Sequence, residues 1–98
     1  MYTRCVIRTF ASQDAQRLFH GRFARRLAQD IQRAAQRKLR QIHQAEELSD
    51  LASPPGNRLE ALKGNRAGQY SIRINEQWRI CFVWRDGDTY DVAIVDYH

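Results

Sequence analysis

The chain has 98 residues, 43% of them hydrophobic, which suits one globular core and one domain over residues 1–98 and excludes a disordered chain. No run approaches the roughly 18 apolar residues of a membrane helix, and the start, Met1-Tyr-Thr-Arg-Cys-Val-Ile-Arg8, holds no long apolar leader segment, so a cytoplasmic protein without membrane contact is expected. Sixteen basic residues against eleven acidic ones give a formal charge of +5, and fourteen of the sixteen are Arg, the residue suited to forked recognition of phosphate; a polyanion or an acidic partner is implied.

Cys5 and Cys81 lie deep in strand-like runs and read as small buried residues rather than a disulfide pair. The histidines, His20, His43 and His98, are scattered, so neither a metal site nor a cofactor is expected.

In chain order, Cys5-Val-Ile-Arg-Thr-Phe10 is a short β-branched run and reads as a first strand. Ser12 with Asp14 can cap a short helix over Ala15–Phe19, which Gly21 breaks. A long helix is then predicted from about Phe23 to about Gln44. Leu27, Ile31, Ala34, Ala35, Leu39 and Ile42 form one apolar stripe along it, with Arg26, Arg33, Arg37 and Arg40 on the opposite side. Glu46–Leu51 adds a helical turn, and Ser53-Pro-Pro-Gly-Asn57 marks a rigid loop.

The second half changes period. Arg58-Leu-Glu-Ala-Leu62 reads as a short strand ended by Lys63-Gly64. Gln69–Ile74 alternates, and Trp78–Trp84 is apolar on both faces, as a central strand would be. Asn75–Gln77 and Asp86–Asp88 read as hairpin connections, and Thr89–Val95 as the last strand. Helices grouped before a run of strands predict an α+β fold of order β-α-α-β-β-β, with the sheet covered on one face and polar or functional on the other. Tyr70, Trp78, Phe82 and Trp84 read as core.

Several residues fit the cleavage of RNA by its own 2′-hydroxyl. That chemistry needs a base for the hydroxyl, cations for the charged phosphorane and an acid for the departing 5′ oxygen. His98 titrates near neutrality, and a carboxylate beside it favours its charged form, so it is the candidate acid; the alternative is a solvated end residue. Asp96 can orient and charge a histidine, and Tyr97 can stack on a base and donate a hydrogen bond, unless both merely end a strand. Arg79, inside the most apolar strand, either forms a structural ion pair or faces a phosphate from a pocket. Lys63 beside Gly64 can approach a ligand or be a solvated loop lysine. Arg58, Arg66 and Arg73 are candidate RNA contacts. Glu60 can serve as the base or pair with an Arg. The helix arginines Arg26, Arg33, Arg37 and Arg40 are either a solvated face or a footprint for ribosomal RNA.

From Pro54 onward the sequence resembles the HigB-type toxins of the RelE superfamily, also called plasmid maintenance system killer proteins. The residues that carry the likeness are Arg58-Leu-Glu-Ala-Leu-Lys-Gly-Asn-Arg-Ala-Gly-Gln-Tyr-Ser-Ile-Arg-Ile-Asn75, then Gln77-Trp-Arg-Ile-Cys-Phe82, Tyr90-Asp-Val92 and the closing Val95-Asp-Tyr-His98. The N-terminal half agrees in length, helical character and charge. The resemblance implies a microbial RNase fold, two helices on a small mainly antiparallel sheet, and a ribosome-dependent endonuclease that cuts mRNA in the decoding site. It also implies a HigA-like helix-turn-helix antitoxin, through which alone the toxin meets operator DNA. It assigns activity to Asp96, Tyr97 and His98, to Lys63 and to Arg79.

Some members of that family carry a histidine in the strand before the lysine, where this chain has Glu60 and then Ala61. The base is therefore Glu60 or Asp96, and a milder toxin than a two-histidine relative is expected. Two other readings stay open at this stage: a non-catalytic module that blocks the ribosome by occupancy, and a weakened toxin serving chiefly as a co-repressor with its antitoxin.

Overall fold

The fold is taken from a computed structural model that describes residues 6–96. Four antiparallel strands run in sequence order, β1 (Glu60–Ala61), β2 (Gln69–Arg73), β3 (Trp78–Arg85) and β4 (Asp88–Asp96). Alternation along them sorts the residues onto two faces. Tyr70 lies opposite Phe82, and Ile72, Ile80 and Ile94 line up across three strands, giving the apolar face. Asp86 and Gly87 both have positive φ (53° and 83°), as a tight two-residue hairpin between β3 and β4 requires. At the other hairpin the Asn75 side chain accepts from the backbone N–H groups of Gln77 and Trp78, both at 2.8 Å.

Two helices cover the apolar face. The first, α1 (Gln13–Phe19), is capped by Ser12, whose Oγ accepts from the Ala15 N–H at 3.2 Å. The second, α2 (Gln29–Gln44), buries Ala35, Leu39 and Ile42. The core they form with Ile72, Ile80, Phe82, Val92 and Ile94 also takes in Leu51 and Ala15. Tyr70, Trp78 and Trp84 pack against it as expected. Each fully buried large side chain contributes about 1.5–3 kcal/mol.

Three boundaries differ from the sequence reading. The long helix begins at Gln29, not Phe23. Gln32 explains the difference. It sits on the buried face of α2, accepts from the Ala24 N–H at 2.9 Å and donates to the Leu27 carbonyl at 2.9 Å. Its amide thus replaces the helical bonds those groups would have made, and residues 22–28 form an ordered loop.

The strand expected over Arg58–Leu62 pairs only at Glu60–Ala61, because Arg58 closes the preceding 3₁₀ turn (Pro55–Asn57) in the left-handed conformation, φ 45°. The N-terminal strand appears as an extended segment with isolated parallel bridges to β4, Ile7 to Thr89 and Phe10 to Val92. Cys5, Tyr97 and His98 lie outside the described residues.

Candidate active site

The sheet face turned away from the helices carries the polar residues. In register they are Glu60 opposite Ser71, Ser71 opposite Cys81, and Arg73 opposite Arg79. Arg79 is only 8% exposed. A buried guanidinium is costly unless held, and this one is held. Its Nε donates to the Ser71 Oγ at 2.8 Å and its Nη2 to the Arg58 carbonyl at 2.6 Å. That carbonyl is available because of the left-handed turn at Arg58. The Glu60 carboxylate lies 3.7 Å from the same Nη2 and is half exposed. Arg79 is therefore ion-paired and also forms one wall of a pocket.

The pocket is open, about 290 Å³, and lined by Arg58, Arg73, Asn75, Glu76 and Arg79. Three guanidiniums against one lining carboxylate leave it with an excess of positive charge. Arg73 is steadied by donation from its Nε to the Asn75 carbonyl at 3.1 Å. Arg66 joins from the 3₁₀ turn after β1 and lies near the Cys81 thiol. Burial pushes that thiol's pKa up, against the opposing pull of Arg66 and Arg79.

Behind the site, Asn57 fixes the loop that presents Arg58. It is fully buried, donates to the carbonyls of Leu51 (3.1 Å) and Ser53 (3.3 Å), and accepts from Lys38 of α2. Burial, with Arg37 nearby, lowers the Lys38 pKa.

The structure thus gathers Glu60, Arg58, Arg66, Arg73 and Arg79 on one face. Asp96 reaches the same end of the sheet, where it pairs with Trp78 and accepts from the Gln77 Nε2 at 3.2 Å. Alternation puts Asp96 on the pleat of Trp78, however, and Val95 on that of Arg79. Lys63 is exposed and stands beyond the opposite end of β1, where Leu62 bonds Gln69. Four residue steps along β2 separate Gln69 from Arg73, about 13 Å at the usual strand rise. A ligand touching both Lys63 and Arg79 must lie along the sheet.

Arg33, Arg37 and Arg40 are exposed on α2, in the helical layer behind this face. Arg26 lies in the loop before α2, with Asp14 at 4.0 Å. Tyr97 and His98 follow Asp96 and fall outside the described residues. The sequence reading missed Ser71, Asn75, Glu76 and the Arg58 carbonyl; only the strand register reveals them.

A model of the HigB-like toxin family, RelE-like toxins of the HigB type II toxin–antitoxin system, matches residues 8–98. The chain belongs to the HigB-like toxin family. Among curated relatives of this HigB-like chain, Toxin HigB-1 of Vibrio cholerae is 48% identical over 64% of the chain and 66% of its own length. The Endoribonuclease HigB of Proteus vulgaris is 39% identical over 72% of the chain and 75% of its own length. The chain therefore spans just under two thirds of the first relative. Among solved structures, the YoeB–YefM complex from Staphylococcus aureus matches with a TM-score of 0.60 and 23% identity over 97% of this chain and 98% of that one. A YoeB/ParE toxin from Agrobacterium tumefaciens matches at 0.51 and 16% identity over the same shares. Both likenesses are of fold, and they agree with the expected RelE-like architecture.

Proposed function

We propose that this HigB-like toxin is an endoribonuclease that cuts mRNA on the ribosome through the RNA 2′-hydroxyl, without a metal ion. The observation that carries the reading is Arg79. A guanidinium seated by Ser71 and the Arg58 carbonyl, in a pocket with Arg58 and Arg73 and beside the Glu60 carboxylate, is built to meet a phosphate that gains charge.

In the proposed reaction Glu60 takes the 2′-hydroxyl proton and the 2′ oxygen attacks phosphorus. The bond to the 5′ oxygen breaks, and His98 returns a proton to that oxygen. The products are a 2′,3′-cyclic phosphate and a 5′-hydroxyl end. Arg79 stabilises the phosphorane, Lys63 holds the strand farther along the sheet, and Tyr97 positions base or phosphate. Of the two candidate bases Glu60 is the better placed, since it faces Arg79 while Asp96 sits on the other pleat. Asp96 then orients His98.

The open pocket offers few groups for reading a base, so the ribosome presents the message and supplies the orientation. A HigA-like helix-turn-helix antitoxin is the proposed partner that holds the toxin in check, with operator DNA met only through it. The cytoplasm is the proposed place of action.

The test is induction of the parent and His98→Ala proteins, with 5′ ends mapped on a reporter message. Growth arrest with new cuts for the parent, and neither for His98→Ala, is expected. Arrest by both with the message whole would replace the nuclease reading with blockage of the ribosome by occupancy.

A further inference from the structure

The corner between α1 and α2 carries a second basic surface, unconnected to Arg79. Phe23 is 62% exposed there and stands out as the exposed large hydrophobic side chain among the described residues. Around it, Arg17, Arg22, Arg25 and Arg26 line a hollow of about 540 Å³. Phe23 and Arg22 also line a smaller hollow of about 230 Å³, shared with Arg33. Asp14 is the acidic residue of the larger hollow, and it lies against Arg26 at 4.0 Å. Positive charge there is far from balanced.

The corner is also held in shape. The Arg22 N–H bonds the Arg17 carbonyl at 2.7 Å, and Gly21 takes φ 78° to make that turn. Gln36 donates to the Leu18 carbonyl at 3.0 Å, and Gln32 grips both Ala24 and Leu27. The loop that displays Phe23 is thus braced on either side of it by two glutamines of α2. A large apolar ring kept in water by its own scaffold, ringed by guanidiniums, fits a flat aromatic ligand with a negatively charged backbone.

We propose that this corner is a second RNA-binding site, which takes a single-stranded stretch with one base stacked on Phe23 and the flanking phosphates on Arg17, Arg22, Arg25 and Arg26. An acidic peptide would satisfy the guanidiniums but offer the ring no flat partner, whereas a nucleotide offers both at once. The site lies in the helical layer, behind the face that carries Arg79, so it anchors RNA without reaching the cleavage pocket. The proposal rests on RNA as the ligand of this toxin, but not on the cleavage step.

The test is fluorescence anisotropy of the full chain with a short single-stranded 2′-O-methyl oligoribonucleotide, which has no free 2′-hydroxyl and cannot be cut. Phe23→Ala is expected to weaken binding about 5- to 150-fold, the usual range for losing one base–aromatic stack. Phe23→Trp should bind at least as well as the parent. An Arg22→Ala/Arg25→Ala double variant should lower the slope of log affinity against log salt by about 1.4, two single-strand phosphate contacts. The exposure of Phe23 lets each variant fold, which circular dichroism checks. Parent-like binding by Phe23→Ala overturns the proposal. So does parent-like RNA binding with loss of antitoxin co-purification, which would make the corner a protein-docking surface. Because the probe reports binding alone, a failure of the nuclease reading leaves this result intact, and the converse holds.

Discussion

Replacing Glu60 with Gln separates two roles that the structure allows one carboxylate. As a partner of Arg79 it lies at 3.7 Å and is half exposed, so solvent screens the pair and its worth is about 0–1 kcal/mol. The guanidinium keeps its bonds to Ser71 and to the Arg58 carbonyl in the variant. The melting temperature should therefore fall by no more than about 4–8 °C, the shift that about 1 kcal/mol makes in a chain of this size. As the general base, Glu60 supplies about a 10²- to 10⁴-fold rate effect, or roughly 2.7–5.4 kcal/mol of barrier. The ion pair is too weak to account for a loss of that size. The assay is single-turnover cleavage of message on programmed ribosomes, with Glu60→Gln and Asp96→Asn run beside the parent and thermal melts of all three. Glu60→Gln should lose at least about a hundredfold in rate with a near-parent melt, and more than Asp96→Asn. A parent-like rate for Glu60→Gln refutes the assignment; lost activity together with a collapsed melt refutes the claim that Arg79 stays seated without Glu60.

Asn57→Ala removes hydrogen bonds to Leu51, Ser53 and Lys38 from a fully buried site. At about 1 kcal/mol net for each lost bond, it should cost about 2–4 kcal/mol in urea denaturation. Phe82→Ala, at the centre of β3 and 0% exposed, should cost about 3–5 kcal/mol in the same experiment. Cys81, buried with its thiol pKa pushed up, should resist iodoacetamide at pH 8 in the folded protein and react once unfolded; equal rates in both states would contradict its burial. Compared in one ribosome assay with a relative that carries histidine at the Glu60 position, this toxin should cut more slowly. An equal or faster rate would show that the carboxylate is no handicap.

Period-two alternation made β2 legible, while β3 and β4 were marked by apolar runs bounded by turn residues. Arg79 stood out because a charged residue in so apolar a strand demands a partner or a ligand; it has partners in Ser71, the Arg58 carbonyl and Glu60, and it lines a pocket. What stayed hidden depends on contacts far apart in sequence. Leu27 fits the helical stripe and is buried, yet it arrives from a loop, because the polar Gln32 takes a core position and bonds the loop backbone. Ala28 precedes α2 without a capping side chain, so no local signal marked the start. Which face holds Arg79 followed only from the register with Ile72, Ile80 and Ile94. Asn57 looked like loop punctuation, and its burial rests on a lysine nineteen residues earlier.

The extended stretch over residues 6–12 has a consequence for when the toxin acquires its fold. Thr89 and Val92 exchange backbone hydrogen bonds with Val6, Arg8, Thr9 and Ala11, and the Ile94 N–H donates to Ser12, eighty-two positions earlier. The strand that leads to Asp96 is therefore flanked by β3 on one side and by residues 6–12 on the other. This pairing forms only when residues about eighty positions apart have met, and contacts of such sequence separation slow folding. Without residues 6–12 the Thr89 and Val92 backbone groups would lose these partners, so this edge of the sheet depends on chain from the opposite half of the sequence.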